Sequence, residues 1–381
     1  MKVVFISNYF NHHQKFLCDA LYNMEDVQFH FISTSEMREE RKKMGYDKIE
    51  IPPYVIRGDI SKKELEKGKA LIDEADVVIC GSAPIQFLKN RVKNNKLIFY
   101  YTERQFRSKL SLKKKIQLKL SWKIRAPKRK NVYLLAASAY AAHDYSYIGV
   151  FKNKTFKWGY FPEAKEYTSF AKKEPSTILW CARLLPLKRP MDVLNAALTL
   201  KNMGYQFTLS FIGNGEEEDK IKSFVNDNEL AEYVKFQGFI PTDKVRIEME
   251  KSSIFLFTSD KQEGWGAVLN ESMNSGCAVI TSHAAGSSKF LVKDGENGLI
   301  YEAGNVEMLT SKLKSLLDSP ENTKKLGKNA YKTITEKWNP ETAAIRFIIL
   351  AKSILNGNKN PDLFPDGPCS IAPLISDEWK N

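Results

Sequence analysis

The chain has 381 residues, 43% of them hydrophobic and 12% aromatic, with a formal net charge of +13. That length exceeds what one hydrophobic core supports, so two domains are expected, and the composition excludes wholesale disorder. No apolar run approaches the ~18 residues of a membrane span. The five scattered cysteines form no C-x-x-C pair, which excludes a disulfide scaffold and reads as reduced cytosolic thiols. The few histidines, by number and spacing, give no structural zinc pattern.

Along the chain, VVFIS (3–7) is too short for a signal-peptide core and predicts a first strand. A helix near 12–24, a strand at 27–33, a helix at 61–75 and strands at 76–81, 97–102 and 132–137 follow. Continuous apolar strands separated by helices indicate a parallel sheet covered on both faces. The second half repeats the arrangement. Strands are predicted at 177–183, 207–213, 233–238, 254–259 and 277–282, with a helix at about 190–203 and another opening on Glu216–Asp219. Two long helical stretches (304–318 and 340–355) precede a tail with four prolines. The tail is read either as disordered or as packed through Phe364 and Trp379. The expected divisions are an N-terminal domain over 1–165, a C-terminal domain over 172–338, a helix over 339–356 returning to the first domain, and an extended tail over 357–381. Two doubly wound α/β sheets in one chain predict a shared cleft at their strand C-termini, without specifying a chemistry.

The charge is local. Residues 104–130 hold twelve Lys or Arg and no acid, which accounts for nearly all of the net charge. A uniformly basic protein would suggest nucleic acid, whereas one basic, partly apolar segment suggests a docking surface.

The most specific stretch is IFLFTSDKQEGWGAVLNESMNSGCAVITS (254–282). A strand ends at Ser259, and a loop holds Glu263, Gly264, Trp265 and Gly266. A helix then begins at about Ala267, with Leu269 and Met273 on its buried side and Glu271 in its second turn. Glycines permit close backbone approach, and the first helical amides form an anion site. With two carboxylates for hydroxyls, the set matches what a nucleotide-sugar presents; a plain turn with two solvated glutamates is the other reading.

EGWGAVLNE resembles the E-x7-E element of glycosyltransferase family 4, a retaining family with the GT-B fold of two facing Rossmann-like domains and a central cleft. CARLLPLKRP (181–190), FIGNGEEE (211–218), FQGFIPTDKV (236–245) and GSSKFLVKDGENGLIY (286–301) resemble other family segments in the family's order. The resemblance implies that Arg183 and Lys188 bind the diphosphate and stabilise the leaving group. It implies that Glu263, with the backbone of Gly264, Trp265 and Gly266, holds the donor sugar. Amides near Val268 and Leu269 share the phosphate, Glu271 accepts from the ribose, and the base lies near Gly238 and Phe239. Four acids after the G-N-G turn (213–215) would repel a diphosphate, so the helix after Gly266 is the better cradle. The resemblance also implies front-face transfer with no protein nucleophile. No D-x-D follows a strand, so neither a cofactor nor a catalytic metal is expected.

The first half departs from the family's glycine-rich first loop, offering SNYFNHHQKF (7–16) instead. Asn11 is read first as a helix cap and second, with His13, as a cleft residue. Glu103 is read as an acceptor-orienting group or as a partner of a neighbouring cation. In the basic segment, Lys113, Lys114, Lys115, Lys119, Trp122 and Lys123 are candidates for contact with an anionic membrane. The apolar residues there nearly alternate, which weakens the amphipathic pattern; a core helix with a solvated lysine face is the alternative. The expectation is a cytoplasmic enzyme, peripheral on the inner membrane face. It would transfer sugar from a UDP-sugar to a glycan or lipid-linked acceptor in surface polysaccharide or lipopolysaccharide synthesis. An epimerase or phosphorylase-like enzyme, or a non-catalytic membrane-binding or nucleic-acid-binding relative, are the alternatives, and the few aromatics of the basic segment argue against nucleic acid.

Overall fold

The computed structural model describes residues 1–39, 42, 49–108, 110–170 and 173–379. The chain divides into two compact units. One comprises Met1–Glu163 and Asn339–Ser376, the other Ala164–Trp338 and Asp377–Asn381.

The first unit holds strands β1 (Lys2–Ser7), β2 (Gln28–Ser33), β3 (Val55–Arg57), β4 (Val77–Cys80), β5 (Leu97–Thr102), β6 (Val132–Ala136) and β7 (Thr155–Lys157). They pair in the order β3-β2-β1-β4-β5-β6-β7, every pair parallel. Helices α1 (His12–Tyr22), α2 (Lys62–Glu74), α3 (Lys89–Lys93), α4 (Leu112–Arg125) and α5 (Ala141–Tyr147) connect them. Helices on both faces explain why β4 and β6 are buried at every position. Arg91 of α3 is wholly buried and donates to the carbonyls of Ile72, Ala75 and Leu97 at 2.7–2.8 Å, clasping the end of α2 to β5.

The second unit holds β8 (Glu174–Cys181), β9 (Thr208–Ile212), β10 (Val234–Gly238), β11 (Ser252–Phe257), β12 (Ala278–Ser282) and β13 (Leu299–Tyr301). Their order is β10-β9-β8-β11-β12-β13, again all parallel. Its helices are α6 (Pro190–Asn202), α7 (Glu218–Asp227), α8 (Thr242–Lys251), α9 (Val268–Asn274), α10 (Ser288–Leu291), α11 (Val306–Leu317) and α12 (Pro320–Lys332). Trp180, Leu194, Phe211, Ile254, Ile280 and Leu313 are among its core residues.

The doubly wound α/β architecture read from the sequence is therefore present twice. The edge strands β3, β7 and β13 are absent from the prediction because three residues are too few to show a period. Helix α12 is absent from it too, since its apolar face is thin: only Leu326, Gly327, Ala330 and Thr323 are buried along a lysine-rich run.

Helix α13 (Pro340–Leu355) belongs to the first unit and packs against α1. Part of the tail beyond it packs on the same unit. Cys369 and Ala372 donate backbone hydrogen bonds to Lys157 and Thr155 of the edge strand β7, at 2.8 and 3.0 Å. Phe364 lies under the Arg346 guanidinium, 4.7 Å away. In the second unit, Trp379 meets the His283 ring edge-on at 5.1 Å.

No helix among the described residues is long and apolar enough to cross a membrane. Trp122, expected at a membrane surface, is instead an internal anchor of α4. It is buried and makes edge-on contacts with Tyr100, Tyr145 and Phe151. An indole enclosed by three rings cannot also reach a lipid. Arg104, the first residue of the basic segment, is likewise internal, buried against Asp144 and over the Tyr140 ring.

Candidate active site

In the second unit the candidate residues gather at the C-terminal ends of β8 and β11, where ligands of doubly wound sheets bind. After β8 the chain turns through Arg183 and Leu184, and the G-N-G turn after β9 supports it. Leu184 donates to the Asn214 carbonyl (2.8 Å), and Glu217 donates back to the Leu184 carbonyl (3.0 Å). Gly213, at φ 126°, lies so close that a Cβ would fall 1.9 Å from the Ala182 carbonyl oxygen. The glycines thus let one backbone rest on another, and of the four acids that follow, Glu218 and Asp219 lie on the opening turn of α7. Arg183 is exposed and pairs with no carboxylate among the described residues.

Lys188 is placed by its backbone. Trp180 Nε1 donates to Thr258 Oγ1 (2.9 Å), and Thr258 Oγ1 donates to the Lys188 carbonyl (2.6 Å). Asp260 N–H donates to the Leu187 carbonyl at 2.8 Å. The loop after β8 is thereby tied to the loop after β11, and the Lys188 ammonium pairs with the Glu263 carboxylate. Thr258 is a positioning residue that the sequence reading missed; its one signal is a hydroxyl at the end of a buried strand.

Gly264 is buried and Gly266 has φ 86°, with the space of a Cβ already taken by the Phe257 ring. Trp265 is 1% exposed; its Nε1 donates to Asn270 Oδ1 (2.9 Å), and its ring packs near Trp338 and Phe290. Its indole is a core plug, so Trp265 offers a ligand only its backbone. Helix α9 starts at Val268, with Leu269 and Met273 wholly buried as the pattern predicts. Glu271 falls in its first turn, not its second. The Leu269 amide is committed to the Gly266 carbonyl at 3.0 Å, which leaves the Val268 amide as the next one available to an anion.

Glu271 is half-buried, and its carboxylate accepts no hydrogen bond among the described residues. Desolvation pushes its pKa up to about 7, with Arg246 opposing the shift. Cys181, at the end of β8, feels both Glu271 and Lys188: burial and the Glu271 charge push its thiol up to about 12, and Lys188 opposes them. Cys181, Lys188, Glu263 and Glu271 therefore share one neighbourhood. Gly238 joins the same sheet end, its carbonyl accepting from Gly213 N–H at 2.8 Å, and Phe239 beside it is 75% exposed. These groups offer two cations, two carboxylates and an exposed ring, and one carboxylate has no hydrogen bond or ion pair among the described residues.

In the first unit, Asn11 is a helix cap. Its side chain accepts from His13 N–H (2.9 Å), and Gln14 closes a capping box. The His13 ring stacks on Tyr160 at 5.1 Å. Tyr160 donates to Glu103 at 2.7 Å, and Glu103 also pairs with Arg107. His13 and Glu103, far apart in sequence, thus share one neighbour at the C-terminal ends of β1 and β5. Burial holds the Tyr160 phenol well above its usual range, so it remains a donor.

Residues 163–333 match the family model of glycosyl transferases group 1. The poly(glycerol-phosphate) alpha-glucosyltransferase of Bacillus subtilis (strain 168) is 30% identical over 159 residues, 42% of this chain and 23% of that protein. The amylovoran biosynthesis glycosyltransferase AmsK of Erwinia amylovora is 29% identical over 143 residues, 36% of this chain and 35% of that protein. The chain thus spans less than half the length of these curated relatives. Among solved structures, Anabaena Alr3699/HepE in complex with UDP superposes with a TM-score of 0.69 at 17% identity, over 93% of this chain and all of that one. The lipopolysaccharide outer core galactosyltransferase WaaB superposes with a TM-score of 0.63 at 18% identity, over 92% of this chain and all of that one. The fold is the GT-B fold of these structures.

Proposed function

We propose that the protein is a retaining glycosyltransferase using a nucleoside-diphosphate sugar, in the first instance a UDP-sugar. The acceptor is a glycan or lipid-linked glycan of surface polysaccharide or lipopolysaccharide synthesis. The observation that carries this reading is the meeting of Lys188, Glu263 and Glu271 at the ends of β8 and β11, with Arg183 unpaired in the same turn. Arg183, Lys188 and the Val268 amide take the diphosphate; Glu271 takes the ribose hydroxyls; Glu263 and the backbone of 264–266 take the donor sugar; Gly238 and Phe239 flank the base. The match over 163–333, the UDP complex of HepE and the names of the relatives support the same reading.

In the transfer step the acceptor oxygen bonds the anomeric carbon as the bond from that carbon to the diphosphate oxygen breaks. The acceptor proton passes to the departing diphosphate oxygen, on the same face of the sugar. No protein nucleophile or metal takes part, so the side chains contribute positioning and charge stabilisation. His13 and Glu103 are the acceptor-side candidates. The protein works in the cytoplasm at the inner membrane face, where an anionic surface is the partner of the basic segment.

Calorimetric titration with UDP and with GDP, on wild type and Glu271→Ala, tests the donor site. Binding of UDP that the substitution weakens supports it. Folded protein that binds neither nucleotide overturns it, and a product released with no acceptor attached turns the reading toward an epimerase.

A further inference from the structure

Helix α4 has two faces that run together in the sequence. The inner face carries Trp122, enclosed by Tyr100, Tyr145 and Phe151, with the Arg125 guanidinium 5.4 Å over its ring. Leu118 is half-buried on that side. On the opposite side Leu112, Ile116, Leu120 and Ile124 are 75, 49, 57 and 69% exposed. Steps of four residues drift only about 40° around a helix of 3.6 residues per turn, so these four form one stripe, about 18 Å long at 1.5 Å per residue. Superposing the two faces yields the near-alternation seen in the sequence.

The charges divide in the same way. Lys113, Lys119 and Lys123 fall within or beside the stripe and are exposed. Lys115 turns back to lie 4.8 Å over the Tyr147 ring, which is itself 62% exposed. The helix contains no acid. Four large aliphatic side chains in water, interleaved with lysines on a helix anchored from behind, are more than a solvated face requires.

We infer that this stripe is a membrane-docking face. The helix lies flat at the headgroup boundary of an anionic leaflet, its four aliphatic side chains inserted and Lys113, Lys119 and Lys123 reaching lipid phosphates. The inference rests on the membrane association in the proposed function and deepens it: binding depends on apolar insertion as well as charge, and Trp122 takes no part. Charge complementarity selects the occupant. A second copy would set lysines against lysines, whereas an anionic leaflet offers phosphates beside an apolar layer.

The test is co-sedimentation of the full chain with phosphatidylcholine vesicles, with and without phosphatidylglycerol. Wild type is compared with Leu112→Ser/Ile116→Ser/Leu120→Ser/Ile124→Ser, with the milder Leu120→Ser/Ile124→Ser, and with Lys113→Gln/Lys119→Gln/Lys123→Gln. Wild type is expected to sediment with the anionic vesicles. The fourfold serine variant should lose at least tenfold in partition coefficient, the double variant a smaller part, and the glutamine variant its preference for phosphatidylglycerol. UDP titration of the same preparations separates the two readings: vesicle binding without UDP binding counts against the donor site and leaves the docking face standing. Wild type that stays in the supernatant overturns the inference. So do serine variants that sediment like wild type, and so does wild-type dimerisation that the serine substitutions abolish.

Discussion

Lys188 and Glu263 neutralise each other across the two loops that follow β8 and β11, with about one-seventh of each side chain exposed. In the proposed donor site, a diphosphate draws the ammonium away from the carboxylate and frees Glu263 for sugar hydroxyls. On that reading the pair is a resting arrangement of two groups with separate tasks. Lys188→Met is expected to lower kcat/KM by about 10²- to 10³-fold, the usual cost of losing one preorganised charge at a leaving group. Glu263→Gln should lower kcat while leaving UDP affinity unchanged or a few-fold tighter, because Lys188 is then released. Steady-state rates with calorimetry of UDP check both; weaker UDP binding by Glu263→Gln would contradict the division of labour.

In the proposed donor site, the raised pKa of Glu271 makes donor affinity and stability depend on pH in opposite directions. Its carboxyl titrates near 7 in the fold, against 4.5 for the unperturbed group. Between those values the folded state holds a proton that the unfolded state has lost, so stability falls as pH rises from about 4.5 to about 7. Above pH 7 Glu271→Gln should therefore be more stable than wild type, with a higher thermal midpoint, and the difference should vanish near pH 4.5. With ribose hydroxyls donating to the ionised form, as proposed, affinity for UDP-glucose should weaken as pH drops below 7 in wild type and stay flat in the variant. UDP-glucose is the right probe because its esterified diphosphate does not titrate in this range.

How far this site was legible follows from what each residue's signal was. Arg183, Lys188, Glu263 and Glu271 stand in segments of fixed order and spacing, and the two buried apolar positions of α9, Leu269 and Met273, follow the helical period. Trp122 is placed at a surface by residue type alone, in a lysine-rich run where no period separates inside from outside, and it is interior. Thr258 was illegible because its role lies in a hydrogen bond to a backbone carbonyl 70 residues away. The meeting of His13 with Glu103 through Tyr160 depends on β1 and β5 being separated by β4 alone, which only the strand order settles.

Gly213 is required by contact as much as by its φ. A methyl group there would sit 1.9 Å from the Ala182 carbonyl oxygen, and backbone cannot swing aside as a side chain can. Gly213→Ala should cost ~2 kcal/mol or more. It should also displace the turn that carries Arg183, since Leu184 hangs from Asn214. Denaturant unfolding and UDP titration are the measurements. A stability loss with full UDP affinity would show that the turn after β8 holds its shape without this support.

Arg91 offers a control in the other unit. Burial pushes its pKa down to about 10, so it remains charged at neutral pH while serving buried carbonyls at the end of α2 and in β5. Arg91→Met leaves those acceptors unpaired and should cost about 3 kcal/mol. UDP affinity, measured on the fraction that is folded, should not change. Arg91→Lys should recover part of the loss, since one ammonium can serve some but not all of the carbonyls. A Met variant as stable as wild type would mean that the carbonyls find other donors.

Glu103 and Tyr160 distinguish orientation from binding in the proposed acceptor site. The carboxylate accepts from the Tyr160 hydroxyl at 2.7 Å and also pairs with Arg107, so its direction is fixed from two sides. Glu103→Gln removes the charge and keeps the shape; it should lower kcat/KM for the acceptor about 10²-fold, the range expected for a positioned carboxylate, and leave UDP affinity intact. Tyr160→Phe should do less, about tenfold, because Arg107 still restrains the carboxylate, and it should also loosen the stacked His13 ring. The readout that separates these roles is the acceptor KM against kcat at saturating donor. A positioning tyrosine moves kcat, whereas a side chain that only lines the acceptor site moves KM; equal effects of the two variants would assign Tyr160 a direct contact with the acceptor.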